Sequence, residues 1–258
     1  MKQSLKISIL QANLFWENVE KNLDYFEILI SKISETDIIL LPEMFNTAFS
    51  PKAVHLAESI NGKTVSWMKE IAKQKNCSIS GSLMIKEQEK IYNRLIWISK
   101  NEEILSYDKR HLFSLSKENE FLSKGKERLI LELDGWKICP LICYDLRFPV
   151  FSRNTMDYDM LIYLANWPTK RIDAWNTLLK ARAIENQCYT IGVNRTGEDA
   201  NGILFSGNSQ IFDAFGSSLF NAEENAKNIL QIEIFLDDLM IKRKKMNFLQ
   251  DRDSFTLQ

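Results

Sequence analysis

The segment Lys137-Ile-Cys-Pro-Leu-Ile-Cys-Tyr-Asp-Leu-Arg-Phe-Pro149 joins an apolar run to a charged turn that ends in proline. The apolar part, Trp136–Ile142, has the length and composition of a buried strand, and Cys143 follows it directly. A cysteine inside a strand would only pack, whereas a thiol where the strand stops and the chain bends is presented to a pocket. Cys143 is therefore a candidate nucleophile, with packing in the core as the alternative.

Apolar runs and helical patterns alternate on both sides of this segment. Ser4–Leu10 and Asp37–Leu41 are predicted strands, and apolar residues three and four apart predict an amphipathic helix at Trp16–Ser34. Further strands are predicted at Ser78–Ile85, Ile91–Ile98, Ile104–Tyr107, Arg128–Leu133, Met160–Ala165, Tyr189–Val193, Leu204–Phe212, Ser217–Phe220 and Ile229–Phe235. Further helices are predicted from near Thr64, after Cys143, and at Arg171–Gln187 and Leu236–Lys245. This alternation favours helices layered over more than one sheet.

Composition and charge indicate a globular protein whose main partner is neither nucleic acid nor an anionic membrane. The 258 residues are 45% hydrophobic and carry a net charge of −1, which argues against binding to nucleic acid or to an anionic membrane. No apolar stretch is long enough to span a membrane. No linker or repeat divides the chain, so we predict one domain over residues 1–245 and a polar C-terminal tail over residues 246–258.

The cysteines and histidines favour a reduced, cytosolic protein without a metal site. The N-terminal apolar run is interpreted as a first strand and not as a signal peptide. The four cysteines show no disulfide spacing, and Cys77, Cys139 and Cys188 are expected to pack in the core. Only His55 and His111 are present, which argues against a zinc site.

Three ionisable residues follow predicted strands directly or within two residues. Glu43 follows Asp37–Leu41, Lys109 follows Ile104–Tyr107, and Cys143 follows Trp136–Ile142. Ligand sites of α/β sheets gather at the carboxyl ends of strands, so the three side chains are expected to converge. A carboxylate takes the proton of a thiol, and an ammonium stabilises the anion that forms. Taken singly, Glu43 could also cap a loop and Lys109 could lie on a solvated face.

Three segments resemble the signature sequences of the nitrilase superfamily of carbon–nitrogen hydrolases. They are LPEMF (Leu41–Phe45), YDKRHLF (Tyr107–Phe113) and LICYDLRFP (Leu141–Pro149), in the family's order. Ala165–Pro168 and Ala181–Gln187 are similar to the bacterial omega-amidase branch. The resemblance implies a single-domain, four-layer αββα sandwich. It also implies a Glu–Lys–Cys triad, no metal or organic cofactor, and a homodimer or larger homo-oligomer in which the tail lies at a subunit interface.

The resemblance also assigns roles to individual residues. It implies that Glu43 is the general base, Lys109 the catalytic lysine and Cys143 the nucleophile, with the backbone N–H of Tyr144 binding the oxyanion. The family has a second glutamate between the lysine and cysteine segments, and Glu118 and Glu120 both lie there. Glu118 is preferred because it lies seven residues before Gly125, which is the spacing in the branch that the chain resembles. We expect Glu118 to position the substrate or the water.

The implied activity is hydrolysis of a small omega-amide of a dicarboxylic or 2-oxo dicarboxylic acid, such as 2-oxoglutaramate, through a cysteine thioester. The free carboxylate of such a substrate favours an arginine partner, and Arg147, Arg171 and Arg195 are candidates, each with a surface or helix-end role as the alternative. Other candidates for the pocket wall are Phe113, Phe148, Asn166 and Trp167.

Three alternatives stay open at this point. One is another reaction of the same superfamily, on a nitrile or an N-carbamoyl amine. A second is a non-catalytic protein that keeps the fold, although a binding role does not need the combination of Glu43, Lys109 and Cys143. The third is papain-like Cys–His catalysis, because His111 follows Lys109 by two residues.

Overall fold

The computed structural model describes residues 2–221 and 228–256. No helix within these ranges is both long enough and apolar enough to cross a membrane.

The elements follow the alternation that the sequence predicts. The strands are β1 (Ser4–Gln11), β2 (Ile38–Leu40), β3 (Ser78–Glu87), β4 (Lys90–Ile98), β5 (Ile104–Asp108), β6 (Leu131–Leu133), β7 (Trp136–Ile142), β8 (Met160–Ala165), β9 (Tyr189–Asn194), β10 (Thr196–Glu198), β11 (Leu204–Ser206), β12 (Gln210–Phe212), β13 (Ser218–Asn221) and β14 (Asn228–Phe235). The α-helices are α1 (Val19–Ser31), α2 (Lys63–Lys75), α3 (Glu118–Phe121), α4 (Pro149–Ser152), α5 (Ile172–Asn186) and α6 (Leu236–Lys245). Short 3₁₀ turns lie at Val54–Leu56, Ser114–Ser116, Cys143–Arg147, Thr169–Arg171 and Phe248–Asp251.

Two six-stranded mixed sheets have the same arrangement of parallel and antiparallel neighbours. The first sheet has the order β14-β1-β2-β3-β4-β5 and the second has the order β13-β12-β9-β8-β7-β6. In the first, β1, β2 and β3 are parallel and the outer pairs are antiparallel. In the second, β7, β8 and β9 are parallel and the outer pairs are antiparallel. The parallel strands at the centre of each sheet place several strand ends on one edge.

Each central strand is buried on both faces, and this burial produces four layers. Ile38 and Leu40 of β2 pack into the core that the two sheets share, whereas Ile39 faces the core beneath α1 and α2. On the other side of the molecule, Trp175 and Leu179 of α5 cover the second sheet. Burial of one such aliphatic side chain contributes roughly 1.5–3 kcal/mol. The fold is therefore the single-domain αββα sandwich that the sequence implied.

Two predicted elements differ from those observed. The predicted strand Leu204–Phe212 is divided into β11 and β12, because Gly207 and Asn208 both have positive φ and break the extended backbone. β11 pairs with β10 as a separate two-stranded ribbon, which the sequence did not predict. The helix predicted after Cys143 is a 3₁₀ turn followed by the single turn of α4.

Candidate active site

Glu43, Lys109 and Cys143 meet in one buried cluster. Each follows a strand, namely β2, β5 and β7, so the two sheets bring the three side chains together at their edges. The Lys109 ammonium lies 2.8 Å from Glu43 Oε1, and both side chains are fully buried. The Cys143 Sγ lies 3.9 Å from the backbone oxygen of Asn166, which follows β8. All three residues line a cavity with about 550 Å³ of empty space, its open mouth included.

The backbone at Cys143 adopts a conformation that is rare for a side chain other than glycine. Its φ is +42°, in the left-handed region, where the Cβ atom crowds the backbone. Such strain persists only where the surroundings impose it, and it is concentrated at functional sites. Tyr144 follows as the second residue of the 3₁₀ turn, where backbone N–H groups have no acceptor within the helix. Its N–H is therefore available to a ligand in the cavity.

The buried carboxylate of Asp145 holds this turn in place. Asp145 Oδ2 accepts hydrogen bonds from the Ile142 N–H (3.1 Å) and the Tyr107 hydroxyl (2.7 Å). Asp145 Oδ1 accepts one from the His111 N–H (3.0 Å) and lies 2.7 Å from His111 Nδ1. The segment that follows β5 is thereby fixed to the segment that follows β7.

Glu118 lies behind Lys109, at the N-terminus of α3. Its Oε1 accepts hydrogen bonds from Lys109 Nζ (3.1 Å) and Asn93 Nδ2 (3.1 Å), and its Oε2 from Lys109 Nζ (2.9 Å) and the Phe113 N–H (2.6 Å). Four donor contacts occupy the lone pairs of this carboxylate, and Glu118 is not among the residues that line the cavity. Glu120, the alternative weighed above, is exposed and pairs with Lys117 at 3.4 Å.

Two asparagines orient the carboxylate of Glu43. Glu43 Oε1 accepts a hydrogen bond from Asn93 Nδ2 (2.9 Å), and Oε2 accepts one from the Asn166 N–H (2.9 Å). Asn166 Nδ2 donates in turn to the backbone oxygen of Glu43 (2.5 Å). Asn166 lines the cavity and also donates a hydrogen bond to the carboxylate.

Burial and neighbouring charges decide the protonation states of the cluster. Burial and the charge of Glu43 raise the pKa of the Cys143 thiol well above its ordinary value, although Lys109 opposes this. Burial lowers the pKa of Lys109, but the carboxylates of Glu118 and Glu43 raise it by more, so the lysine stays charged. Burial raises the pKa of Glu118, and Lys109 opposes that rise. The resting cluster therefore contains a neutral thiol and a charged lysine.

Two arginines line the same cavity and have cation–π contacts with its aromatic walls. The guanidinium of Arg147 stacks on Trp167 (4.9 Å from the ring centroid), and that of Arg171 stacks on Phe113 (5.1 Å). All four residues line the cavity. In the part of the chain that the structure describes, neither guanidinium has a carboxylate or hydrogen-bond partner. Both remain free to bind an anion, and guanidinium pairs well with a carboxylate.

Several sequence-based candidates lie outside the cavity lining. Phe148 was expected to line the pocket, but its ring stacks on His111 at 3.7 Å. Arg195 is fully buried and donates to Asn13 and to the backbone of Thr196, so it does not reach the cavity. His111 is paired with Asp145, as described above, and His55 lies in the 3₁₀ turn Val54–Leu56. The other three cysteines are buried, as predicted.

The sequence did not single out Asn93, Asp145 or Asn194. Asn93 lies within β4, where an asparagine has no distinctive local pattern, and its role depends on strands far away in the chain. Asn194, at the end of β9, accepts from the Trp167 N–H (2.7 Å) and donates to the Trp167 oxygen (3.0 Å). Only Asp145 carried a signal, because it lies two residues after Cys143 within the quoted segment.

No group of three or more histidine, cysteine, aspartate or glutamate side chains in the described ranges is arranged to hold a metal ion. The chemistry that the cluster itself offers is nucleophilic. A thiol, a carboxylate that can take its proton, and two donors for an oxyanion, Lys109 Nζ and the Tyr144 N–H, surround one space.

Comparisons with known proteins find relatives over nearly the whole chain. The sequence model of the carbon–nitrogen hydrolase family matches residues 6–241. The chain is 41% identical over 256 residues to omega-amidase YafV of Yersinia enterocolitica, covering 98% of this chain and 99% of the relative. It is 35% identical over 251 residues to 2-oxoglutaramate amidase of Bacillus subtilis, covering 95% and 96%. A crystal structure of XC1258 from Xanthomonas campestris, described as a CN-hydrolase superfamily protein, matches with a TM-score of 0.97 and 36% identity over the full length of both chains.

Proposed function

The chain belongs to the carbon–nitrogen hydrolase family, and we propose that it is an omega-amidase within that family. It hydrolyses the terminal amide of a small dicarboxylic or 2-oxo dicarboxylic acid, such as 2-oxoglutaramate, to the free acid and ammonia. One observation supports this most directly. The cavity that contains Cys143, Glu43 and Lys109 also contains the free guanidiniums of Arg147 and Arg171. Relatives named omega-amidase and 2-oxoglutaramate amidase, similar over nearly their whole length, support the same substrate class.

In the first half of the reaction, Glu43 takes the proton of the Cys143 thiol as the sulfur attacks the amide carbonyl. The oxyanion that forms accepts hydrogen bonds from Lys109 and from the Tyr144 N–H. Lys109 Nζ has three hydrogens: one is donated to Glu43, a second is shared by the two oxygens of Glu118, and the third is left for the oxyanion. One such donor is worth about 3 kcal/mol in the transition state. Protonated Glu43 gives its proton to the leaving nitrogen, so ammonia departs and a thioester remains.

In the second half, Glu43 takes a proton from water, which attacks the thioester. The tetrahedral intermediate collapses, the thiolate leaves, and it recovers its proton from Glu43. One water is consumed, and the acid and ammonia are the products. Glu118 holds Lys109 in position through its contacts with Nζ. Because its lone pairs are occupied, this supporting role fits its geometry better than direct contact with the substrate.

Ammonia release from paired substrates tests the assignment. Succinamate carries a distal carboxylate and butyramide carries a methyl group in its place. We expect Arg147→Met and Arg171→Met to lower kcat/KM for succinamate about 10- to 100-fold, mostly through KM, because each loses a charge-assisted pair with the carboxylate. Activity on butyramide is expected to change little.

Arg252→Met is the matched control, because Arg252 pairs with Asp157 away from the cavity. This variant should leave kcat/KM for both substrates unchanged. An equal loss of kcat/KM for succinamate and butyramide in Arg147→Met and Arg171→Met would show that the arginines do not bind the carboxylate. Wild-type activity on nitriles or N-carbamoyl amines, but not on succinamate or 2-oxoglutaramate, would replace the proposed substrate class.

We further propose that the protein is a cytoplasmic homodimer or larger homo-oligomer, with residues 1–245 as the hydrolase domain and the tail 246–258 at a subunit interface. Exposed apolar side chains near the described part of the tail support this, namely Val150, Ile184, Met246 and Phe255. Sedimentation of the full chain and of a chain ending at residue 245 tests the interface. A monomer at micromolar concentration would contradict it.

A further inference from the structure

Asn93 contacts both glutamates of the buried cluster. It lies on β4, within the first sheet, and its side chain is fully buried. Its amide nitrogen lies 2.9 Å from Glu43 Oε1 and 3.1 Å from Glu118 Oε1. One amide group therefore bridges the two carboxylates that flank Lys109.

The surrounding hydrogen bonds determine which way this amide faces. The Met44 N–H, which can only donate, bonds to Ser82 Oγ at 2.9 Å. Ser82 is then free to donate its own hydrogen to Asn93 Oδ1, which lies 2.9 Å away. The amide oxygen is occupied on that side, so the two hydrogens of Nδ2 point at Glu43 and Glu118. The opposite orientation would place the amide oxygen against two carboxylates, which have no hydrogen to donate.

Asn93 matters because the cluster contains one more carboxylate than cation. Glu43 and Glu118 share the single ammonium of Lys109, and all three are buried. Like charges this close favour the uptake of a proton by one carboxylate. A neutral donor stabilises both charged carboxylates without adding a charge of its own. Burial raises the pKa of Glu118, and the hydrogen bond from Asn93 opposes that rise.

We propose that Asn93 is a positioning residue that stabilises the charged cluster around Lys109 by donating to both carboxylates, and that Ser82 fixes the orientation of its amide. The inference rests on the proposed function, because it concerns the base of that reaction. The ionisable groups that face Asn93 are Glu43 after β2, Lys109 after β5 and Glu118 on α3, with Cys143 after β7 adjoining Glu43 and Lys109. The next residue, Arg94, pairs with Asp108 and Glu87 and is not part of this cluster.

Two pH profiles of Asn93→Leu test the proposal. Leucine has nearly the shape of asparagine and no donor, so the cluster should take up a proton at higher pH. We expect the acid limb of kcat/KM to move upward by about one pH unit, since hydrogen bonds from a donor favour the charged form of a carboxyl group. We expect the same displacement in the pH dependence of Cys143 alkylation by iodoacetamide, followed by peptide mass spectrometry.

Asn154→Leu is the matched control, since Asn154 is a fully buried asparagine whose amide bonds to Tyr158 and Asn186 outside the cluster. It should cost stability without moving either profile. If Asn93→Leu does not fold, Ser82→Ala serves, with a smaller upward shift expected because the amide is then free to turn. If Asn93→Leu or Ser82→Ala folds and the acid limb of its kcat/KM profile does not move, the proposal is overturned. Alkylation needs no amide substrate, so a shift there would stand even if the omega-amides proved not to be substrates.

Discussion

Among the single residues, Cys143, the nucleophile of the proposed reaction, is held in position before any substrate binds. Its left-handed backbone turns the thiol out of β7 and into the cavity, and Asp145 ties the turn to Tyr107 and His111. Its thiol is protonated at rest, because burial and Glu43 raise its pKa. Activation therefore depends on a base in contact with the sulfur and not on a low thiol pKa.

The position of His111 leads to a prediction about its role. Its Nδ1 faces Asp145, its ring stacks on Phe148, and it is not among the residues that line the cavity, so we expect the imidazole to support the turn and not to take the thiol proton. We expect His111→Asn to lower kcat by no more than about tenfold, the loss of an ordinary hydrogen bond. Steady-state kinetics with succinamate measures this. A loss of several thousandfold in a folded variant with unchanged KM would instead favour Cys–His catalysis.

The residues that sequence reasoning located share one property. Glu43, Lys109 and Cys143 each stand just after a strand, so a local pattern marks them and the fold brings them together. Asn93 has no such local pattern, since its role depends on the side chains of Glu43 and Glu118, which are 50 and 25 residues away in the chain. Phe148 and Arg195 show the reverse case, because proximity in sequence to the cavity did not decide which way their side chains point.

Among the elements, the end of β5 depends on close backbone packing. Gly125 donates its N–H to the Lys109 oxygen at 2.9 Å. A Cβ atom on Gly125 would lie 2.1 Å from the backbone oxygen of Asp108, which cannot move as a side chain end can. The loop between β5 and β6 thus presses directly on the residue that carries the ammonium.

We expect Gly125→Ala to displace Lys109 and to lower kcat at least tenfold, with a stability cost of about 1–3 kcal/mol, as for other overpacked sites. Gly216→Ala is the control, because it is strained and crowded against Ile184 far from the cluster. Urea unfolding and kcat, measured on both variants, separate the effects. Similar kcat values in the two folded variants would contradict the proposed positioning of Lys109.

The elements also show where a local pattern is insufficient. The apolar run of β2 and the helical spacing in α1 were readable because each element meets a continuous apolar layer. The break at Gly207 and Asn208 was not, because the flanking residues keep the composition of one strand. Gly207 packs against Gln11 of β1, a contact that only the assembled molecule creates.

Across the whole molecule, the core between and around the sheets buries three thiols that the reaction does not use. Burial raises the pKa values of Cys77, Cys139 and Cys188 to about 12, compared with an ordinary value of 9.0. Between these values the unfolded chain loses protons that the folded chain retains. Stability from these groups is therefore complete below pH 9 and is lost as the pH rises toward 12.

We expect the free energy of unfolding to fall above pH 9, by about 1.4 kcal/mol per pH unit for each such thiol. Buried tyrosines with raised pKa values, such as Tyr163, steepen the fall. Urea titrations under reducing conditions at pH 8, 9 and 10 measure the slope. Cys188→Ala should reduce the slope by the contribution of one thiol. A free energy of unfolding that stays constant up to pH 10 would contradict the raised pKa values of the buried thiols.

In the proposed reaction, Cys143 forms a thioester with the acyl group of an omega-amide. Partitioning by hydroxylamine tests it most directly, with succinamate and the monomethyl ester of succinic acid as substrates that share one acyl group. We expect the same ratio of hydroxamate to acid from both substrates, because a common acyl-enzyme is intercepted, and no product from either with Cys143→Ala. Ratios that differ between amide and ester, or enzyme-dependent hydroxamate formation by Cys143→Ala, would rule out the thioester.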